Sequence, residues 1–374
     1  MTKYPASRPY ISQKDKKAVA QVLETDYLSL GPNHKKFEEK FAKRIGTRYA
    51  VSVSSGTAGL HLALLASGIK PGDEVITSPF SFIASSNAII YTGAKPVFCD
   101  VDPATGNISP DEIEKKITKK TKALLIVHIF GQAANMKRIM PIAKKHNLKI
   151  IEDACESIDA KHFGKKVGTF GESAVFAFYP NKQMTTGEGG MIVTNSKKIY
   201  ELCSSLRNQG RSKTDKWLEH KLLGYNYRMD ELSAALGISQ LEQLSSFIHK
   251  RNQIASWYSK AFKNDNDIIE TPVITPHNTH TWFVYVIRLK SRLVDRDRLI
   301  ELLEKSNIFT KPYLPSIHLS PYYKKRYHMK PGMFPNSEEI SRVSLALPLY
   351  IQLNKKDVLN IAKKIIRIIR SYEK

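Results

Sequence analysis

The sequence contains few cysteines and no long apolar run. Of its 374 residues only three are cysteines, Cys99, Cys155 and Cys203, and they are too widely spaced to form a disulfide framework. No Cys-x-x-Cys pair or cluster of Cys and His is present, which argues against a structural zinc site. No segment approaches the ~20 apolar residues of a membrane-spanning helix, and the N-terminal residues lack the apolar core of a signal peptide. We therefore expect a protein of the reducing cytoplasm that binds no metal ion.

Acidic residues are scarce relative to basic ones. The chain has 58 Lys and Arg against 35 Asp and Glu, which gives a net charge of +23. Such a surplus indicates an anionic partner, which could be nucleic acid, an acidic lipid surface or a phosphorylated small molecule. It is equally typical of a Lys-rich, well-solvated surface. Hydrophobic residues make up 42% and charged residues 25%, which excludes wholesale disorder, collagen and coiled coil.

Short apolar segments alternate with helical patterns in the first half of the sequence. Because these segments are continuously apolar, they predict buried strands of a mainly parallel sheet that is covered by helices on both faces. In such α/β domains, ligands bind beyond the carboxyl ends of the strands. The predicted strands are Ala50–Val53, Glu74–Thr77, Pro96–Val101, Ala123–Ile129, Lys149–Glu152, Ser173–Phe178 and Met191–Thr194. The predicted helices between them are Thr57–Ala66, Ile83–Tyr91, Pro110–Thr118 and Met136–His146.

After Gly224 the pattern changes. Asp230 begins a long helical stretch, and beyond it short strands such as Thr281–Leu289 alternate with helices such as Arg296–Ser306. The last predicted helix is Lys355–Arg370. We therefore predict a large α/β domain over residues 1–245 and a smaller α+β domain over residues 246–374.

The segment Ser54–Ala58 follows a predicted strand and opens a predicted helix. Free backbone N–H groups and the helix dipole make such a turn an anion site. Gly56 permits a tight bend, and Thr57 adds a hydroxyl donor. An ordinary helix N-cap gives the same pattern, so this motif alone leaves both interpretations open.

Two more motifs follow predicted strands. Asp153, in Glu152-Asp153-Ala154-Cys155-Glu156, could hold a protonated ring nitrogen or simply cap the turn that follows. Lys182 lies in a loop that continues into Thr185–Gly190, with the sequence TTGEGG. A lysine desolvated in a closed pocket suits Schiff-base chemistry, whereas most lysines of a basic chain are solvated at the surface. The glycines favour the first interpretation, because they permit close approach of the backbone to a ligand.

The order and separation of these motifs resemble the DegT/DnrJ/StrS family. Its members are fold-type I sugar aminotransferases that depend on pyridoxal 5′-phosphate (PLP). The resemblance covers essentially the whole chain. Other segments in register with the family are Leu30–Pro32, Pro71–Ile76, Ser81–Ala84, Gly224–Met229, Tyr313–Pro315 and His318.

The resemblance implies a PLP cofactor and assigns roles to the matching residues. Lys182 would form the Schiff base with the cofactor and shuttle the proton during transamination, and Asp153 would pair with the pyridinium nitrogen. Phe82 would stack on the ring, and Glu156 would lie near its oxygen. The pair Gly56-Thr57 would bind the 5′-phosphate.

The resemblance also implies a homodimer and a substrate class. Asn226 would reach the phosphate of the neighbouring subunit's cofactor, since active sites of the family form at a dimer interface. Arg228, Tyr313 and His318 would lie near a nucleotide-linked keto-sugar, with glutamate as the amino donor. The diphosphate of that substrate gives the basic surplus a target.

Two positions depart from the family pattern. Ala177 stands five residues before the lysine, where the family commonly has a serine that binds the phosphate. Its loss removes one hydrogen bond, worth about 0.5–1.5 kcal/mol. Asp159 occupies a position where glycine is usual, and aspartate tolerates left-handed geometry better than most residues.

Two other functions are compatible with parts of the sequence. Some relatives catalyse sugar 3-dehydration, with histidine in place of the lysine, and Lys182 argues against that reaction. A non-catalytic, nucleic-acid-binding protein would also use the positive charge. The clearest basic runs, Lys115–Lys122 and the C-terminal helix, lack the interleaved aromatic residues that such binding favours.

Overall fold

Three β-sheets and a set of surrounding helices form the protein in a computed structural model that describes residues 3–211, 219–290 and 294–372. The strands, in chain order, are β1 (Tyr49–Val53), β2 (Glu74–Thr77), β3 (Lys95–Phe98), β4 (Thr121–Val127), β5 (Lys149–Asp153), β6 (Lys161–His162), β7 (Lys165–Lys166), β8 (Ser173–Ala177), β9 (Gly190–Thr194), β10 (Ile269–Glu270), β11 (Asn278–Thr279), β12 (Tyr285–Leu289), β13 (Lys311–Pro312) and β14 (Ser344–Leu347). The helices are α1 (Gln13–Leu23), α2 (Pro32–Ile45), α3 (Gly56–Ala66), α4 (Ala84–Tyr91), α5 (Pro110–Ile113), α6 (Met136–Lys145), α7 (Lys197–Leu206), α8 (Glu231–Ala261), α9 (Arg296–Glu304), α10 (Pro321–Tyr327), α11 (Pro335–Val343) and α12 (Lys355–Arg370).

The largest sheet has seven strands in the order β1-β9-β8-β5-β4-β2-β3. Strand β9 runs antiparallel to its neighbours β1 and β8, whereas the pairs from β8 to β3 are parallel. The carboxyl ends of β1, β2, β4, β5 and β8 therefore lie at the same edge of the sheet. This arrangement confirms the predicted α/β class with a mainly parallel sheet.

Both faces of this sheet are buried. Along β8, Val175 packs into one core cluster with Ile192 of β9 and most of helix α3. Its neighbour Phe176 packs into the opposite cluster with Phe37 and Phe41 of α2. Because successive side chains of a strand point to opposite faces, a strand buried on both sides is continuously apolar. This explains why the sequence of these strands shows no alternation.

The region after Ala261 is built on a different sheet. Its four strands, in the order β10-β12-β14-β13, are all antiparallel, and they pack with α9 and α12 in a separate core cluster. The third sheet, β11-β6-β7, links residues near 278 to the hairpin that follows β5. Helix α8 passes through residue 245 without interruption. The division into domains at that residue stays a prediction.

Several elements differ from those predicted. Helices α1, α2 and α7 were not predicted, and the helix predicted at Pro110–Thr118 is a short α5 followed by a 3-10 turn at Glu114–Lys116. The strand predicted from Thr281 begins only at Tyr285. The reason is Trp282, whose φ of 50° lies in the left-handed region and interrupts the extended backbone. Among the described residues, no helix is long and apolar enough to cross a membrane.

Candidate active site

A cavity of about 450 Å³ opens at the carboxyl edge of the parallel strands. Segments that follow β1, β2, β5 and β8 line it, as expected for a sheet of this type. Seven of the ten residues predicted to act at the site lie in its wall: Gly56, Thr57, Phe82, Asp153, Glu156, Lys182 and Tyr313. The three others, Asn226, Arg228 and His318, lie elsewhere.

The first residues of helix α3 form one end of the cavity. Ser55 is the N-cap, and its side chain accepts a hydrogen bond of 3.1 Å from the backbone N–H of Ala58. A Cβ atom at Gly56 would lie 2.7 Å from Cβ of Ala177 and 3.0 Å from Sγ of Cys155. Only glycine therefore brings the start of the helix this close to strand β8. The first turn of an α-helix leaves backbone N–H groups without intrahelical partners, so the segment Ser55–Thr57, here called the anion-binding turn, is suited to an anion.

Asp153 ends strand β5 and is 5% exposed. Its Oδ2 accepts a 2.7 Å hydrogen bond from the hydroxyl of Ser85, and its Oδ1 accepts one of 3.2 Å from the backbone N–H of Cys155. Ser85 Oγ also lies 2.7 Å from Oγ of Ser81. Both carboxylate oxygens are thus held in place beside the cavity.

Lys182 follows strand β8 and reaches into the cavity, where its side chain is 13% exposed. Its Nζ lies 3.6 Å from Oε1 of Glu156 and 3.9 Å from the centre of the Phe283 ring. The backbone N–H of Phe130 donates a 2.9 Å hydrogen bond to Oε2 of the same Glu156. Burial raises the pKa of Glu156, and the positive charge of Lys182 partly opposes this effect.

Aromatic side chains surround the remainder of the cavity. The ring of Tyr313 lies 6.0 Å from that of Phe130 and 6.1 Å from that of Phe283, and burial raises the pKa of its hydroxyl. Phe82 lines the cavity too, but 62% of it is exposed. Tyr179, from the turn before the lysine, is likewise 51% exposed at the cavity wall.

Asn226 and Arg228 flank a residue that contacts the chain just before the anion-binding turn. The residue between them, Tyr227, accepts a 2.9 Å hydrogen bond from the backbone N–H of Ser54. Asn226 itself is exposed, and Arg228 donates a 3.0 Å hydrogen bond to Oδ1 of Asn208. These side chains therefore do not line the cavity of their own chain.

His318 lies outside the cavity wall, and its predicted place near the substrate stays a prediction. Its side chain is fully buried, and its Nε2 lies 3.0 Å from Oε1 of Glu338. Its ring packs edge-on against Phe334 at 4.7 Å. The cavity wall does not include His318. Its contacts with Glu338 and Phe334 instead stabilise the loop between Tyr313 and α10.

Both departures from the family pattern are located by the structure. Ala177 lies in the cavity wall beside Gly56, where a serine hydroxyl would face the anion-binding turn. Asp159 has a φ of 61°, the left-handed geometry expected there. Its carboxylate accepts hydrogen bonds from Arg44 and Lys166, so this residue ties together two surface segments outside the cavity.

Sequence reasoning missed Ser85, Phe283 and Arg251. The sequence contains a signal for Ser85. It lies three residues after Phe82, at the start of the predicted helix Ile83–Tyr91, and residues three apart on a helix lie on the same face. No local pattern marks Phe283 or Arg251. Phe283 belongs to a segment far along the chain that hydrogen bonds to the backbone at Phe130.

The sequence profile of the DegT/DnrJ/EryC1/StrS aminotransferase family matches residues 9–366. The chain belongs to this family. GDP-perosamine synthase of Escherichia coli O157:H7 is 40% identical over 362 residues, which cover 96% of this chain and 97% of that protein. The spore coat polysaccharide biosynthesis protein SpsC of Bacillus subtilis (strain 168) is 37% identical over 378 residues, covering 98% and 97%.

Solved structures of family members share the fold closely. DesV of S. venezuelae superposes with a TM-score of 0.90 at 33% identity, over 99% of each chain. PseC of Helicobacter pylori, an aminotransferase involved in the biosynthesis of pseudoaminic acid, superposes with a TM-score of 0.93 at 29% identity, over 99% of this chain and 100% of PseC. These likenesses confirm the predicted fold-type I architecture.

Aminotransferases of the family use PLP, and the cavity fits that cofactor. The anion-binding turn matches a phosphate, the fixed carboxylate of Asp153 matches a protonated ring nitrogen, and the amine of Lys182 lies in the same cavity. The space that Gly56 leaves open supports this fit, because any side chain there would collide with the cavity wall. The chain is a PLP-dependent aminotransferase.

Proposed function

We propose that the protein transfers an amino group from glutamate to a keto-sugar linked to a nucleoside diphosphate. The observation that carries this proposal is the convergence of Lys182, Asp153 and the start of helix α3 on one cavity. When bound, PLP supplies an electron sink for negative charge at the carbon next to the transferred nitrogen. The residues of the chain must therefore anchor a phosphate, hold a ring and move a proton.

Three groups would hold the cofactor. The Gly56-Thr57 turn would bind its phosphate through backbone N–H groups and a hydroxyl. Asp153, fixed by Ser85, would keep the ring nitrogen protonated, and Phe82 would cover one face of the ring. The large exposed fraction of Phe82, 62%, fits a side chain that gains a partner when the cavity is filled.

Lys182 would form the covalent attachment to the cofactor and act as acid and base. In the half-reaction with the amino donor, its Nζ would take up the proton that leaves the α-carbon. In the half-reaction with the keto-sugar, its Nζ would return a proton to the carbon that gains the amino group. The ring of Phe283, 3.9 Å away, shields this amine from water. Glu156, which lies 3.6 Å from the lysine amine, would face the ring oxygen of the cofactor.

The names of the relatives support a sugar substrate. GDP-perosamine synthase is named for a nucleotide-linked sugar, and SpsC for polysaccharide biosynthesis. The exposed phenolic residue Tyr179 and the half-buried Tyr313 line the cavity, where Tyr313 would contact the sugar. The net charge of +23 is compatible with a diphosphate.

The three cysteines are unpaired, which fits an enzyme that works on soluble metabolites in the cytoplasm.

We further propose that the active enzyme is a homodimer. Asn226 is exposed beside the anion-binding turn rather than within the cavity, so it would bind the phosphate held by the partner chain. Arg228 would lie at the same interface, near the nucleotide of the substrate. Leu222 and Leu223, 42% and 87% exposed, extend this surface with apolar side chains, as is typical of obligate dimer interfaces.

A substrate screen tests the proposal. The purified protein, loaded with PLP and glutamate, is incubated with a panel of nucleotide-linked keto-sugars, and aminated products are identified by mass spectrometry. We expect at least one aminated sugar with the native protein, none with Lys182→Ala, and native yield with Lys35→Ala, whose side chain is 80% exposed on α2. Amination of free amino-acid-derived keto acids, with no turnover of any nucleotide sugar, would contradict the proposed substrate class.

A further inference from the structure

Arg251 is a charged side chain in the core of the protein. It lies on helix α8 and is 4% exposed. No carboxylate of the described residues forms an ion pair with it, and burial lowers its pKa to about 10. Isolated charges are costly to bury, and proteins normally pair them. The cost indicates that this guanidinium has a function which a neutral side chain would not supply.

The guanidinium binds backbone carbonyl oxygens of two segments that meet at the cavity. Its Nη1 donates to the carbonyls of Trp282 and Phe283, at 2.9 and 3.2 Å. Its Nη2 donates to the carbonyl of Lys182, at 3.3 Å. The planar fork of an arginine holds several acceptors in a fixed relation, so these three carbonyls are fixed relative to one another.

Both segments need such support. Trp282 has a φ of 50°, a left-handed geometry that is strained for a bulky residue and persists only where the surroundings hold it. Lys182 lies in a loop after β8 that has no regular secondary structure. The two segments contact each other directly at the reactive atom, because Nζ of the lysine lies over the ring of Phe283.

We propose that Arg251 is a positioning residue, which joins the backbone of Lys182 to the Trp282–Phe283 turn and thereby aims the lysine amine into the cavity. The neighbouring Gln183 supports the same connection, since its Nε2 donates to the carbonyl of Glu156 at 2.6 Å and to Oγ1 of Thr281 at 3.3 Å. Arg251 itself does not line the cavity. It acts only through Lys182 and Phe283.

This inference rests on the proposed role of Lys182, and its test separates the two. Arg251→Met removes the charge and all the donors at similar length, whereas Arg251→Lys keeps the charge but lacks the fork. The rate of the half-reaction with saturating amino donor and the visible circular dichroism of the bound cofactor are measured on each. The dichroism reports how the cofactor is held, independently of turnover.

We expect Arg251→Met to lower the saturated rate on the order of 10²-fold, because small misplacements of a reacting group have effects of this size. The Michaelis constant for the donor should change little, and the dichroism per bound cofactor should fall. Arg251→Lys should show the same changes to a smaller degree. The matched control is Arg296→Met: Arg296 also binds two carbonyls, those of Ser341 and Ser344, but it lies outside the cavity wall. It should keep the native rate and dichroism.

Native rate and dichroism in Arg251→Met would overturn the inference even if that variant is less stable, because a purely structural role predicts that result. If Arg251→Met does not fold, Arg251→Lys decides: native values in it overturn the inference, and a reduced rate with reduced dichroism supports it. Absence of a lysine-bound cofactor in the native protein would instead overturn the proposed function, and this inference with it.

Discussion

The two ends of the cavity are built in different ways. At the end that we propose for the phosphate, the site consists of the consecutive residues Ser55, Gly56 and Thr57, and their own helix would supply the donors. At the lysine end, Lys182 lies beside Glu156 and Phe283, which come from separate parts of the chain. Asp153 belongs to this end too, and Ser85 of another element holds its carboxylate. A local site of the first kind needs one strand and one helix, whereas an assembled site of the second kind needs the whole fold. Predictions that disturb one end and not the other test this difference.

The largest effect is expected at the assembled end, from Asp153→Asn. The amide is nearly the same size, but it lacks the negative charge that would stabilise a protonated ring nitrogen. We expect the single-turnover rate to fall on the order of 10²–10³-fold, as when one preorganised electrostatic group is removed. Stopped-flow absorbance measures this rate. Asp159→Asn, outside the cavity, is the control and should keep the native rate; equal losses in both variants would mean that Asp153 has no special role.

The second largest effect is expected at the local end, from Gly56→Ala. The added Cβ would lie 2.7 Å from Cβ of Ala177, and such overpacking costs about 1–3 kcal/mol. We expect a loss of PLP affinity of about 5-fold to 150-fold, measured by fluorescence titration. Gly59→Ala is matched to it, because its Cβ would lie 2.7 Å from Val175 Cγ1, one turn further along the same helix. If Gly59→Ala weakens PLP binding as much, the effect is general loss of packing and the turn is not a specific phosphate site.

A smaller effect, in the opposite direction, is expected from Ala177→Ser. The hydroxyl would face the anion-binding turn and add one hydrogen bond to the phosphate, worth about 0.5–1.5 kcal/mol. We expect PLP to bind about 2-fold to 10-fold more tightly. Pyridoxal, which lacks the phosphate, serves as the control ligand and should bind with unchanged affinity. A gain for both ligands would place the new contact elsewhere in the cavity.

The smallest effect is expected on stability, from Glu156→Gln at the assembled end. Burial raises the folded-state pKa of Glu156, so the folded protein holds this proton more tightly than the unfolded chain, whose pKa is about 4.3. The resulting stabilisation is fully present below about pH 4.3 and is lost as the pH rises through the folded-state pKa. Glutamine cannot ionise and avoids this loss. Urea unfolding of both proteins, without cofactor, should therefore show the variant gaining stability relative to the native protein as the pH rises above about 4.3. An unchanged difference in stability at every pH would contradict this prediction.

The local end could be predicted from sequence because its determinants are adjacent. Ser54–Ala58 follows an apolar strand and opens a helix, and each of these features is visible in a few residues. The strands of the central sheet were predictable for a related reason, since burial on both faces makes each of them continuously apolar. Their observed limits differ from the predicted ones by a few residues, as at Lys95–Phe98.

The assembled end could be predicted only in part. Lys182 and Asp153 were identified through their motifs, but the contact of Lys182 with Phe283 joins segments about a hundred residues apart in the chain. Arg251 looks like any other basic residue of a helix until its three carbonyl partners are known. His318 was predicted near the substrate from the family resemblance, and its pairing with Glu338, outside the cavity wall, is a contact that the sequence did not indicate. Contacts of this kind depend on tertiary packing, which no local pattern encodes.

The most direct test of the proposed chemistry is to locate the lysine that carries the cofactor. The native protein is loaded with PLP, reduced with borohydride to fix the covalent bond, and digested for peptide mass spectrometry. We predict a single modified lysine, Lys182, in the peptide that spans Phe176 to Asn195. Modification of a different lysine, with Lys182 unmodified, would contradict the assignment of the active site.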